Sequence, residues 1–166
     1  MDFEHKFCSL HADVTVGDDL RIEGYASRFD APDQGGDVVA PGAYRLSLAE
    51  HRGVKMLWQH DPSQPIGVWE DLREDTQGLW VKGRLLDGVA RAREAAALLR
   101  AGAIDGLSIG YRTRRATKNE GGGRTLMELE LWEVSLVTFP MLPSARVAAK
   151  GDSLEPALRE LAAVFD

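Results

Sequence analysis

The chain has 166 residues, a formal net charge of −6 and 44% hydrophobic residues, which is enough to bury one core of its own. This composition excludes a disordered chain, and the acidic balance lacks the broad positive field that non-specific binding of nucleic acid requires. No apolar run is long enough to span a bilayer, and the N-terminus has no signal-peptide apolar region. We therefore expect a soluble domain that binds neither nucleic acid nor membranes.

The first half of the sequence predicts mainly β-strands. A loop is expected at 30–36, which is rich in Gly, Pro and Asp, and a short helix is expected between Pro41 and Glu50. Five segments have strand-like composition, namely 11–16, 20–29, 54–59, 66–72 and 78–86.

The second half predicts one clear helix followed by two long strands. Residues 89–101 are rich in Ala, Leu, Arg and Glu and stop at Gly102, which is typical of a helix and its C-terminal cap. Strands are expected at 108–117 and 124–139, and a further helix at 154–165.

Strands thus dominate the chain, with two or three helices. We predict an α+β fold with a mostly antiparallel, barrel-like core and packed helices, rather than a parallel βαβ sheet. The domain is expected to cover residues 1–150, followed by a C-terminal helix in 151–166.

The sequence Gly106-Leu-Ser108-Ile-Gly110 matches the G-x-S-x-G pattern of nucleophilic serines, in which glycines leave space around the hydroxyl. The setting is not that of an α/β-hydrolase, because here a helix precedes the serine and a strand follows it. All the histidines also precede Ser108, whereas an α/β-hydrolase needs one downstream. The chymotrypsin order of His, Asp and Ser is possible in this sequence, but the chain is too short for the two barrels of that fold.

Among the four histidines, His60 is the best candidate for a general base. It follows the apolar strand at 54–59 and precedes a loop, so it combines a rigid mount with access to substrate. A surface histidine at a strand end is the alternative. His5 and His11, in a first strand, and His51, at a helix end, are expected to be structural or solvated.

Alternation along the last strand indicates a carboxylate partner for this base. The odd-numbered positions in 127–131 are apolar, whereas Glu128 and Glu130 lie on the other face, so we expect those two to be solvated. Glu133 is in phase with the apolar face and must be paired or hydrogen-bonded there, for example by orienting an imidazole. Alternatively, Glu133 lies at the rim of the core or forms a salt bridge with an arginine. Because residues on the second face are also apolar, the strand can equally be a central one buried on both faces.

Other chemistries find no support in the sequence. There is no H-E-x-x-H motif, no Cys/His cluster with zinc spacing, no P-loop and no G-x-G-x-x-G motif. We therefore expect no metal and no cofactor. The single cysteine, Cys8, excludes an intramolecular disulfide.

Three strings stand out along the chain, namely Trp58-Gln-His60-Asp-Pro62, Gly106-Leu-Ser108-Ile-Gly110-Tyr111 and Leu131-Trp-Glu133-Val-Ser-Leu-Val-Thr-Phe-Pro140. In their order and spacing they resemble the prohead serine proteases of tailed phages and of phage-like gene transfer agents. The resemblance covers about residues 19–148 and includes segments near Glu23 and Pro41.

The resemblance implies a fold similar to that of the herpesvirus capsid-assembly proteases. It also implies that Ser108 is the nucleophile, His60 the base and Glu133 the orienting group, in the place where the herpesvirus enzymes have a second histidine. Backbone amides in 140–145 are candidates for the oxyanion site, and Arg146 is the candidate side chain there.

The implied function is that of a serine endopeptidase acting inside the immature prohead, in the cytoplasm of a bacterial host. Its implied substrate is the N-terminal scaffolding segment of the major capsid protein. The enzyme is also expected to cut itself, and a homodimer is one possible oligomeric state. The alternatives are a non-catalytic capsid assembly factor with the same fold and an unrelated esterase or amidase that uses Ser108.

Overall fold

The structure, a computed structural model, describes residues 3–9, 16, 19–33, 35–50 and 53–138. Within these ranges it contains eight strands and two helices. In chain order they are β1 (Glu4–Ser9), β2 (Arg21–Arg28), β3 (Val38–Val39), α1 (Arg45–Ala49), β4 (Lys55–Trp58), β5 (Asp61–Glu74), β6 (Gly78–Leu85), α2 (Ala90–Arg100), β7 (Gly106–Lys118) and β8 (Arg124–Val137).

All the described strands belong to one sheet in the order β1-β7-β8-β4-β5-β6-β2, with β3 added beside β8. Pairing is antiparallel except where β3 and β4 run parallel to β8. The two outer strands, β1 and β2, also contact each other, so the sheet curls into a half-barrel. The prediction of a mostly antiparallel, barrel-like core with few helices is confirmed.

The predicted elements between residues 20 and 137 match the observed ones to within a few residues, except that β5 begins at Asp61 and runs straight on from the turn after β4. The strand predicted at 11–16 lies outside the described residues except for Val16. The helix predicted at 154–165 and the boundary predicted after residue 150 also lie outside them.

Strand β8 is central in the sheet because it pairs with β7 on one side and with β4 on the other. Its residues Val134 and Leu136 are fully buried, as is Ile109 of β7. Burying side chains of this size stabilises a fold by about 1.5–3 kcal/mol each. The alternative of a central strand is therefore confirmed, and the residues that position the candidate site lie on or beside this central strand.

A β-bulge interrupts the alternation of β8. Gly110 pairs with Glu133 and Tyr111 pairs with Leu131, so Trp132 has no opposite residue on β7. A strict two-residue period does not continue through such a bulge. The prediction that Glu130 is solvated is wrong: it is 3% exposed and forms an ion pair with Arg114.

The helices pack on the sheet through small residues. α2 buries Ala92, Ala95 and Ala96, which lie three and four positions apart and so share one face. In α1, the hydroxyl of Ser47 accepts a hydrogen bond of 2.8 Å from the backbone amide of Leu131 in β8. Neither helix has the length and apolarity that crossing a membrane requires.

Candidate active site

Ser108 is the third residue of β7, directly after the turn that follows α2. It pairs with Ser135 of β8 and is fully buried. The sequence prediction of a helix before the serine and a strand after it is confirmed. The backbone of Ser108 is therefore fixed by the strands on both sides of β7, and the residue does not lie on a loop.

His60 lies in the tight turn between β4 and β5. β4 and β5 are joined by only two residues, Gln59 and His60, because Trp58 already pairs with Asp61. The φ angles of these two residues are 52° and 61°, in the left-handed region that β-hairpin turns of this length require. Neither residue is glycine, so the turn carries strain that neighbouring groups must compensate.

The compensating groups come from β8 and its end. The amide of Gln59 donates a hydrogen bond of 2.9 Å to the carbonyl of Leu136, and its side chain bonds to Thr138. The amide of His60 donates to the hydroxyl of Ser135 at 3.1 Å. β8 therefore holds His60 in a backbone conformation that it would otherwise rarely adopt.

The imidazole of His60 lies between Ser108 and Glu133. Its Nε2 is 2.6 Å from Oγ of Ser108, and its Nδ1 forms a hydrogen bond with Oε1 of Glu133. Because an ionised carboxylate only accepts, we assign the proton to Nδ1, which leaves Nε2 to accept from the serine hydroxyl. The predicted nucleophile, base and orienting residue are thus brought together from β7, the β4–β5 turn and β8.

Glu133 is held from two further directions. It is 8% exposed, and its Oε2 accepts a hydrogen bond of 2.6 Å from the hydroxyl of Ser135. Ser135 therefore contacts both the backbone of His60 and the carboxylate that orients its ring. No role was predicted for Ser135 from the sequence, although its position two residues after Glu133 places it on the same face of the strand.

Gly110 is required by the carboxylate rather than by the serine. It pairs directly with Glu133, and a Cβ atom at residue 110 would overlap the Glu133 side chain. The second glycine of the G-x-S-x-G string thus has a different role here from that in a nucleophile elbow. It leaves the space in which Glu133 reaches His60.

His5 also belongs to this neighbourhood, which the sequence did not indicate. It pairs with Gly110 across β1 and β7, and its ring contacts that of His60, with centroids 3.9 Å apart and the ring planes tilted by 41°. Burial and the nearby His60 lower the pKa of His5, against the opposing effect of Glu133. The expectation of a structural or solvated residue therefore overlooked its contact with the site.

The remaining candidates lie outside the described residues. These are His11, His51, Arg146 and the backbone amides of 140–145. The oxyanion site consequently stays a prediction from the sequence. Among the described residues, the only group of three His, Cys, Asp or Glu side chains with metal-binding spacing is His5, His60 and Glu133.

A serine, a histidine and a carboxylate in hydrogen-bonded series is the arrangement that serine hydrolases use. The sequence pattern of the caudovirus prohead serine protease family matches residues 9–160. The chain therefore belongs to that family.

Individual relatives agree with this assignment. The chain is 36% identical over 132 residues to the prohead protease of Enterobacteria phage HK97, which covers 77% of this chain and 59% of that protein. It is 30% identical over 138 residues to the capsid polyprotein of Pseudomonas phage PAJU2, which covers 77% of this chain and 20% of the polyprotein. The chain thus spans less than two thirds of the curated relatives it matches.

A solved structure shows the same fold. The capsid assembly protease gp21 of bacteriophage T4 superposes with a TM-score of 0.67 at 17% identity, covering 83% of this chain and 98% of that one.

Proposed function

We propose that this chain is a serine endopeptidase that trims a capsid precursor during prohead maturation. Ser108 is the nucleophile, His60 the general base and Glu133 the group that orients and stabilises the base. The observation that carries the proposal is the position of the His60 ring, with one nitrogen on the serine and the other on the carboxylate. Membership of the prohead protease family supports the peptide substrate.

The reaction begins when Oγ of Ser108 attacks the scissile carbonyl carbon and Nε2 of His60 accepts the hydroxyl proton. Glu133 then faces an imidazolium, whose positive charge it stabilises. The imidazolium gives its proton to the leaving amine as the C–N bond breaks. Water then attacks the acyl-serine, His60 accepts its proton, and the Ser108 hydroxyl is restored.

Burial strengthens each hydrogen bond in this series. Ser108, Ser135 and Glu133 are all buried, so the local dielectric constant is well below that of water. Interactions aimed at the imidazolium are stronger in such surroundings. The two β8 side chains therefore provide a preorganised setting for the charge that develops on His60.

The proposed substrate is the N-terminal scaffolding segment of the major capsid protein, and self-cleavage is proposed as a second reaction. The names of the relatives, a prohead protease and a capsid polyprotein, support a capsid protein as partner. The proposed place of action is the immature prohead in a bacterial host. We also propose a protease domain in 1–150, an oxyanion role for Arg146 and a fold related to the herpesvirus capsid-assembly proteases.

The test is trimming of assembled proheads by the purified protein, read as the N-terminal mass of the capsid protein. Wild type should trim, Ser108→Ala and His60→Ala should not, and Glu133→Gln should be slow. Ser27→Ala is the matched control, because Ser27 is also a fully buried strand serine but its hydroxyl has no hydrogen-bond partner among the residues that the structure describes. Equal trimming by Ser108→Ala would refute the proposal, and intact precursor with wild type would favour a non-catalytic assembly factor.

A further inference from the structure

Three ligating groups meet at the candidate active site. His5, His60 and Glu133 each place one ligand atom within 4.8 Å of the other two. His5 takes no part in the hydrogen-bonded series that leads to Ser108, yet its Nε2 is 3.9 Å from Oε1 of Glu133. Two imidazoles and one carboxylate form a donor set that zinc uses in open, three-ligand sites.

The spacing is close to what a tetrahedral zinc ion needs. Zinc holds nitrogen and oxygen ligands at about 2.0–2.2 Å, which places neighbouring ligand atoms roughly 3.4 Å apart. The distance between His5 and Glu133 exceeds this only slightly. The ion would replace the hydrogen bond between His60 and Glu133, and the His60 ring would turn by a small amount to make room for it.

The surroundings allow a cation to enter. The His5 side chain is 40% exposed, whereas that of Glu133 is only 10% exposed. A cation that binds the exposed imidazole of His5 therefore lies next to a buried carboxylate, whose negative charge attracts a divalent ion.

We propose that His5, His60 and Glu133 bind a zinc-like divalent cation reversibly and that its binding switches off the nucleophile. Coordination uses the lone pair of Nδ1 on His60, so the proton carried by this nitrogen moves by way of solvent to Nε2. An Nε2 that carries a proton cannot accept one from Ser108. The binding claim is independent of peptidase activity, whereas the inhibition claim rests on the proposed function.

Binding is tested by titrating zinc chloride into the full chain carrying Ser108→Ala, followed by calorimetry. We expect one zinc ion per chain, and we expect His5→Gln to weaken its affinity by at least about tenfold. His5→Glu, which supplies a carboxylate ligand in place of the imidazole, should recover part of the lost affinity. Magnesium should not bind, because it prefers oxygen ligands in octahedral geometry.

Glu94→Gln is the control, since it removes an exposed carboxylate on α2 that is not part of this cluster. Equal zinc affinity with and without His5 would overturn the proposal, as would an equal loss from Glu94→Gln. Circular dichroism of each variant checks folding, and recovery by His5→Glu separates loss of a ligand from loss of structure.

Inhibition is tested by measuring cleavage with zinc and then with excess EDTA, each variant being compared with its own metal-free rate. Wild type should be inhibited and should recover, and His5→Gln should need at least about tenfold more zinc. Inhibition that is independent of His5 would refute the switch. If the metal-free wild type has no peptidase activity, the proposed function fails, and the calorimetric result still decides whether the zinc site exists.

Discussion

Two buried glutamates on one strand have opposite roles. Glu130 and Glu133 are three residues apart on β8 and are 3% and 8% exposed. Glu130 pairs with the guanidinium of Arg114, which carries a permanent positive charge. Glu133 instead meets an imidazole, whose charge changes when it accepts a proton. Burial alone therefore does not mark the functional carboxylate, because the partner determines whether it can respond to a reaction.

The largest expected effect is a difference in kcat between variants of the two glutamates. Glu133→Gln should lower kcat by about 10³-fold or more, because the amide favours the wrong tautomer of His60. Glu130→Gln should leave kcat within about twofold, since Glu130 does not contact the reacting groups. Steady-state cleavage of a capsid-derived peptide measures both, and similar losses in the two variants would remove the distinction.

A methyl group at Gly110 should disturb only the functional carboxylate. Gly110→Ala places a Cβ against Glu133, so we expect kcat to fall by about 10- to 100-fold through misplacement of the base. Gly88→Ala is the control, because the space around Gly88 is open and its φ is not positive. An unchanged kcat for Gly110→Ala would show that Glu133 does not need its observed position.

Ser135 should act as a positioning residue for the same carboxylate. Ser135→Ala removes one hydrogen bond to Glu133 and one from the His60 amide, so kcat should fall about tenfold with little change in KM. Ser135→Thr should recover part of the rate because it restores the hydroxyl. A loss of stability in Ser135→Ala without any change in kcat would instead indicate a purely structural role, with Ser27→Ala as the reference.

The smallest effect concerns the structural glutamate. Arg114→Met leaves Glu130 buried without its cation, and we expect the free energy of unfolding to fall by about 1–2 kcal/mol, moderated because Arg114 is half exposed. The rate of cleavage should not change. Urea unfolding of this variant beside Arg115→Met, an exposed arginine on the same strand, measures the difference. A large fall in kcat without a loss of stability would contradict the structural role of Glu130.

Local patterns predicted most strands and singled out Ser108, His60 and Glu133 as candidates, whereas the family resemblance assigned their roles. Ser108 has a glycine-flanked motif, His60 follows an apolar strand, and Glu133 lies in a long β-segment. Two features depend on long-range register and could not be read locally. The burial of Glu130 depends on how β7 pairs with β8, because that pairing brings Arg114 to this carboxylate. The position of His5 depends on the pairing of β1 with β7, which no spacing in the sequence indicates.

The central claim is that His60, oriented by Glu133, activates Ser108. Its most direct test is the reaction with a fluorophosphonate ester, measured by intact mass and peptide mapping. Wild type and Glu130→Gln should each gain one adduct at Ser108, His60→Ala and Glu133→Gln should react far more slowly, and Ser108→Ala should gain none. An adduct at another residue, or equal labelling of His60→Ala and wild type, would contradict the account.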